Sequence, residues 1–165
     1  MAALTVGKIA PNFTCPTMDG GVFSLREALK RGAVVLAFFK ISCPVCQLAL
    51  PYVERLYAAY KGKNVSIIGV SQDGKKNTAQ FLNQYELTLP VALDDTKAFP
   101  ASNAYGLTNV PTIFYVSQDA VVEQSIVGWS RSDMQQLTQN VASAVNANPA
   151  NIFRPGESVP EFKAG

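Results

Sequence analysis

Histidine is absent from all 165 residues of the chain. That one absence removes Ser-His and Cys-His catalysis and every His-ligated metal site. Cysteine is scarce, at three residues, so a zinc site resting on thiolates falls short of its four ligands. Charge is thin and balanced: charged residues make up 16%, and 14 basic against 12 acidic side chains leave +2. A nucleic-acid binder usually carries a strong basic excess, so none is expected here. Long hydrophobic runs are missing too. The longest uninterrupted one, Ala33 to Phe39, is far short of the ~20 residues that span a bilayer. The first residues lack a basic start followed by an apolar stretch, so no signal peptide and no membrane segment are expected. Neither glycine (11) nor proline (10) is in excess and 48% of the chain is hydrophobic, which argues against disorder and collagen-like sequence. A chain of this length suits one domain that buries roughly 70% of its unfolded surface.

What is present alternates short apolar runs with helical stretches, the pattern of an α/β domain. Ala33 to Phe39 is β-branched and aromatic without polar alternation, and reads as a strand buried on both faces. Pro44 to Tyr60 reads as a helix, with Val45, Ala49, Val53, Leu56 and Tyr60 at helical spacing. Val65 to Val70 is a second buried strand, Thr78, Phe81, Leu82 and Tyr85 mark a second helix, and Leu89 to Leu93 reads as a short strand. Lys97 to Tyr105 adds a brief helix. Thr112 to Val116 and Val121 to Val127 then form a strand pair around the turn-rich Ser117-Gln118-Asp119-Ala120. A capping box, Ser130-Arg131-Ser132-Asp133, opens a last helix striped by Met134, Leu137, Val141 and Val145. Residues 1–146 are expected to form the domain and 147–165 an irregular C-terminal tail. The tail segment Gly156 to Phe162 echoes Gly7 to Phe13, with Gly, Pro and Phe at matching offsets; chance is the favoured account, similar docking the other.

The chemistry concentrates in Phe38-Phe39-Lys40-Ile41-Ser42-Cys43-Pro44-Val45-Cys46, where a Cys-x-x-Cys pair falls between a buried strand and a helix. Helix N-termini leave amide donors unpaired and carry partial positive charge, which favours an anion such as a thiolate. Pro44 suits the first helical position, where its missing N–H has no partner to lose. Cys43 is then the cap-like, solvent-facing thiol and Cys46 the first-turn thiol within disulfide reach. The pair can cycle between dithiol and disulfide through a mixed disulfide. Lys40 by its charge and Ser42 by its hydroxyl are further modulators of the thiolate, each with a plain surface role as the alternative. Cys15, in Phe13-Thr14-Cys15-Pro16, is a small buried residue or else a resolving thiol, and Trp129 is expected to serve packing rather than substrate contact.

Phe-Phe-(x)3-Cys-x-x-Cys-(x)4-Pro, ending at Pro51, resembles the active-site helix of thioredoxin-fold proteins. Val110-Pro111-Thr112, at the head of a strand, resembles that superfamily's substrate loop, whose proline is cis and faces the redox pair. The opening, Gly7-Lys8-Ile9-Ala10-Pro11-Asn12-Phe13 with Asp19-Gly20-Gly21-Val22-Phe23-Ser24-Leu25, is similar to the redoxin branch, which holds thiol reductases of the ResA and TlpA type and the peroxiredoxins. The resemblance implies a mixed sheet flanked by helices, with an extra βα insertion between Cys46 and Pro111. It implies a thiol–disulfide oxidoreductase in which Cys43 attacks, Cys46 resolves, and Val110, Pro111 and Thr112 receive the partner.

Departures narrow the reading. The peroxiredoxin Thr, three residues before the reactive cysteine, is Lys40 here, and the active-site Arg gives way to the Val-Pro-Thr loop. Thioredoxin's buried Asp is Ala37, and the Glu of ResA-like proteins is Ala49. A thiol peroxidase and a non-catalytic interaction module are the alternative functions. Expected partners are disulfide-containing or dithiol proteins, with no cofactor and no metal. The missing leader points to the cytoplasm, unless a leader or anchor has been removed.

Overall fold

The computed structural model describes residues 3–165, with strand β3 (Ala33–Phe39) at its centre and all seven of its residues buried. Before β3 come a short antiparallel hairpin, β1 (Thr14–Pro16) with β2 (Val22–Ser24), and helix α1 (Leu25–Leu29). After it run α2 (Pro44–Tyr60), β4 (Val65–Ser71), α3 (Lys75–Gln84), β5 (Val91–Leu93) and α4 (Pro100–Ala104). The chain closes with β6 (Thr112–Val116), β7 (Val122–Val127), β8 (Trp129–Ser130), α5 (Arg131–Ala144) and β9 (Phe162–Lys163). The main sheet has the order β5-β4-β3-β6-β7; β3 runs parallel to β4 and antiparallel to β6. This is the α/β mixed sheet expected from the sequence, with β5 and α4 supplying the insertion before Pro111. The strand-pairing hairpin around Ser117 to Ala120 is also present, with Ala120 at φ 65° in its turn.

Successive strand residues face opposite sides, so an unbroken apolar strand feeds two cores. Ala33, Val35, Ala37 and Phe39 join a cluster beneath α2, α3 and α5; Val34, Leu36 and Phe38 join another with α1 and the N-terminal segment. In the first, Phe39 stacks on Phe81 at 5.5 Å and approaches Gly69, where any Cβ would sit 3.0 Å from the Phe39 ring. In the second, Phe13, Phe38, Tyr105 and Phe114 pack ring against ring. The Tyr105 hydroxyl also donates to the Pro11 carbonyl at 2.7 Å, which ties the N-terminal segment down. Cys15 belongs to this second core and Cys46 to the first, so the sheet separates them. The buried-residue account of Cys15 therefore describes its position, and a resolving role does not.

Three local expectations change. Hairpin β1–β2, helix α1 and the pair β8–β9 escaped the periodicity, because elements this short span no more than about one and a half repeats. The capping box is half built: the Ser130 hydroxyl accepts the Asp133 N–H at 3.2 Å, but no reciprocal bond from Asp133 forms among the described residues. Ser130's backbone lies in β8, paired with Phe162. The tail is irregular except for β9, yet it is firmly docked along much of its length. Ile152 and Phe153 are buried, and Arg55 makes a bidentate pair with Glu157 at 2.8 Å. The Tyr60 hydroxyl donates to the Asn148 carbonyl at 3.0 Å, and the Trp129 indole N–H donates to Pro160 at 2.7 Å. Gly7 to Phe13 lies instead against the β6–β7 turn, bridging Ile9 to Val121, so the two echoing segments dock on different elements.

Phe153→Ala should destabilise the chain by about 3 kcal/mol in urea unfolding, the ordinary cost of emptying a buried aromatic site. A tail that merely rests on the surface would give a change within ~0.5 kcal/mol. A second outcome concerns pH. Burial, with Asp94 adding to it, raises the Cys15 thiol from an ordinary 9.0 to about 11. The folded state thus holds that proton more tightly than the unfolded state. The associated stability is complete below about pH 9 and is lost as pH climbs through 11. Unfolding of the reduced protein between pH 8 and 11 should show this loss, and Cys15→Ala should lessen it by roughly 2 kcal/mol.

Candidate redox site

The site forms where β3 ends and α2 begins, at the carboxyl edge of the parallel strands. Three bonds shape the loop between them. Gln72 N–H donates to the Phe39 carbonyl at 3.0 Å, the Ile41 N–H donates to the Asp73 carboxylate at 2.8 Å, and the Gln47 side chain donates to the Ile41 carbonyl at 3.0 Å. The Cys43 N–H then closes a turn onto the Lys40 carbonyl at 3.2 Å.

Cys43 is the N-cap of α2, extended at φ −85° and ψ 119°, and Pro44 is the first helical residue. The Cys43 sulfur accepts the Cys46 N–H at 3.4 Å, so a thiol does the work that Ser or Asp does at other helix starts. The same sulfur donates to the Val110 carbonyl, also at 3.4 Å. Cys43 is half-buried and Cys46 fully buried; all three cysteines are free thiols. Burial pushes the Cys46 thiol well up. The neighbouring Cys43 and the Asp73 carboxylate push the same way, and the Lys40 backbone offsets part of it. The pair therefore divides into an accessible sulfur and a shielded one.

Val110, Pro111 and Thr112 come to this pair from the head of β6. The Val110–Pro111 peptide is cis, Pro111 and Thr112 are buried, and the Thr112 hydroxyl donates to the Asn109 carbonyl at 2.8 Å. Lys40 and Ser42 are exposed, and among the described residues neither side chain hydrogen-bonds to a sulfur. Lys40 acts on the pair through its backbone, its carbonyl accepting the Cys43 N–H. Trp129 is fully buried and packs on Tyr52 at 4.9 Å, in keeping with the packing role.

Two participants had no signal in the sequence. Asp73, two residues past β4, is half-buried and holds the loop before Cys43 from a strand away. Gly165, at the far end of the chain, reaches Val110: a Cβ built on it would lie 2.8 Å from the Val110 carbonyl oxygen. Among the described residues no group of three or more His, Cys, Asp or Glu could hold a metal ion, and no helix is long and apolar enough to cross a membrane.

Comparison with known proteins agrees with this geometry. The thiol-disulfide oxidoreductase ResA of Bacillus thuringiensis is 36% identical over 126 residues, covering 76% of this chain and 71% of that protein. The corresponding protein of Geobacillus thermodenitrificans is 29% identical over 141 residues, covering 84% and 79%. Among solved structures, a putative thiol:disulfide interchange protein DsbE from Chlorobium tepidum superposes with a TM-score of 0.76 at 28% identity, covering 87% of this chain and 99% of that one. A putative protein disulfide isomerase from Bacteroides thetaiotaomicron, at 19% identity and TM-score 0.80, shares the fold. The profile of the AhpC/TSA family matches residues 6–125, which takes in β1 through most of β7 together with both cysteines of the pair. With a thioredoxin-like sheet, a thiol-capped helix and that match, the chain belongs to the AhpC/TSA family.

Proposed function

We propose that the chain reduces or exchanges disulfides in partner polypeptides through Cys43 and Cys46. It is a thioredoxin-like thiol–disulfide oxidoreductase, akin to ResA and DsbE. The observation that carries the division of labour is the asymmetry of the pair, one sulfur at the helix end and one buried beneath it.

The Cys43 thiolate attacks one sulfur of the partner disulfide, forming a Cys43–partner bond as the other partner sulfur leaves as a thiolate. Cys46 gives up its proton to the partner thiolate released in the first step and attacks the Cys43 sulfur. The Cys43–Cys46 disulfide forms, the second partner thiolate departs, and two electrons have passed to the partner. The Cys46 N–H, in the first turn of α2, points at the Cys43 sulfur that attacks. Pro44 sets the first turn, and Val110 offers backbone for the partner to pair with beside Pro111 and Thr112. Burial keeps Cys46 protonated until the mixed disulfide brings a reactive sulfur next to it. In a reducing compartment such as the cytoplasm the pair rests as a dithiol and acts as a reductant; in an oxidising one it runs the other way. The redox unit is residues 1–146, with 147–165 appended to it. A peroxidase mechanism is disfavoured, because Lys40 and the Val-Pro-Thr loop stand where that chemistry places Thr and Arg.

Insulin reduction by the dithiol form tests the activity, and a non-catalytic module would show none. Cys43→Ser should abolish it. Cys46→Ser should let Cys43 attack but not release, so that partners accumulate as mixed disulfides on non-reducing gels. Trapping by Cys43→Ser rather than Cys46→Ser would reverse the two roles.

A further inference from the structure

The redox pair is bordered by a segment that the family match, ending at residue 125, does not reach. After the docked root around Ile152 and Phe153, residues 161–165 turn back toward Val110. Phe162 pairs with Ser130 and Lys163 with Trp129 in antiparallel register. The Arg131 N–H donates to the Glu161 carbonyl at 2.9 Å, and the Asn109 side chain donates to the Gly165 carbonyl at 3.0 Å. Gly128, at φ +79°, makes the passage possible: a Cβ there would lie 2.6 Å from the Lys163 carbonyl oxygen and 2.7 Å from the Gly165 nitrogen. At its end the segment rests against the Val110 carbonyl, the oxygen that also accepts from Cys43.

Root and tip are held very differently. The root has two buried apolar side chains and the bidentate Arg55–Glu157 pair. Every residue of the tip is exposed, and its one ion pair, Arg131–Glu161 at 3.4 Å with Glu161 80% exposed, adds little. A strand paired over two residues and otherwise solvated opens readily.

We infer that residues 161–165 compete with the partner polypeptide for the Val110 edge of the redox site. The inference rests on the proposed role of Val110 as the residue that pairs with the partner. The partner it concerns is a disulfide-bearing chain able to run extended beside Val110, such as an unfolded segment or an exposed loop. Such a chain needs the space that Lys163 to Gly165 fill, and its apparent affinity falls by the fraction of molecules with the tip closed. A small disulfide needs only the Cys43 sulfur and is indifferent to the tip.

Insulin reduction and reaction with 5,5′-dithiobis(2-nitrobenzoate) are to be compared between the full chain and Gly128→Ala, whose new Cβ meets the tip backbone. The insulin kcat/KM should rise about five- to tenfold, while the small-disulfide rate stays within about twofold. An insulin rate that stays level or falls, with the small-disulfide rate intact, overturns the inference. Absence of both reactions in the unaltered chain would instead overturn the function proposed above. Alanine at φ +79° is strained, so a second variant ending at Pro160 removes the tip outright. It must show the same rise, and an added peptide spanning Pro160 to Gly165 must bring its insulin rate back down. Failure of either result in that variant also overturns the inference.

Discussion

Much of the molecule converges on the position of one sulfur atom. The Cys43 thiol accepts the Cys46 amide in the first turn of α2 and donates to the Val110 carbonyl, which joins the helix to a loop far along the chain. For both contacts to hold, the end of β3, the start of α2 and the head of β6 must be fixed together. The sheet achieves this by pairing β3 with β6 from Val34–Val116 to Phe38–Thr112, so the Cys43 loop and the Val110 loop emerge side by side. A thiol in a capping position is both structural and reactive. Stability and chemistry therefore draw on the same few contacts.

Asymmetry between the two cysteines follows from the helix itself. The cap position looks outward, and one turn of helix carries the other sulfur under the sheet's cover, where Ala49, Leu50 and Val53 exclude water. That arrangement separates an accessible sulfur from a shielded one. Asp73 comes from the loop after β4 and acts through the Ile41 amide. A carboxylate in this place holds the loop geometry and adds negative charge near the buried thiol.

The C-terminal twenty residues show how an appended segment is docked onto the fold. Arg55 on α2 and Trp129 after β7 supply the anchors, one charged and one through its indole N–H. Guanidinium and carboxylate meet in bidentate geometry, and the Arg55 guanidinium also lies 4.6 Å over the Tyr52 ring. The bidentate pair holds the Glu157 carboxyl low, at about 2. A strap so rooted delivers its lightly held tip to the one carbonyl where a partner is proposed to pair.

By itself the sequence determined the fold class, the central strand, the limits of α2 and the place of the Cys43–Cys46 pair at its start, because each depends on neighbours close along the chain. An unbroken apolar run, Ala33 to Phe39, has to be buried on both faces, and Cys43-Pro44 carries the features of a helix start in adjacent residues. The motif Val110-Pro111-Thr112 was readable as a unit, although only strand pairing places it against Cys43. Tertiary structure alone decided the rest: Cys15 on the far face of the sheet, Asp73 under the active-site loop, the docked root of the tail and its tip at Val110. None of these has a local signature. A lone aspartate, an arginine in mid-helix or a glycine at the end of a chain becomes meaningful only through what folding sets beside it, and contacts between distant segments leave no periodicity to read.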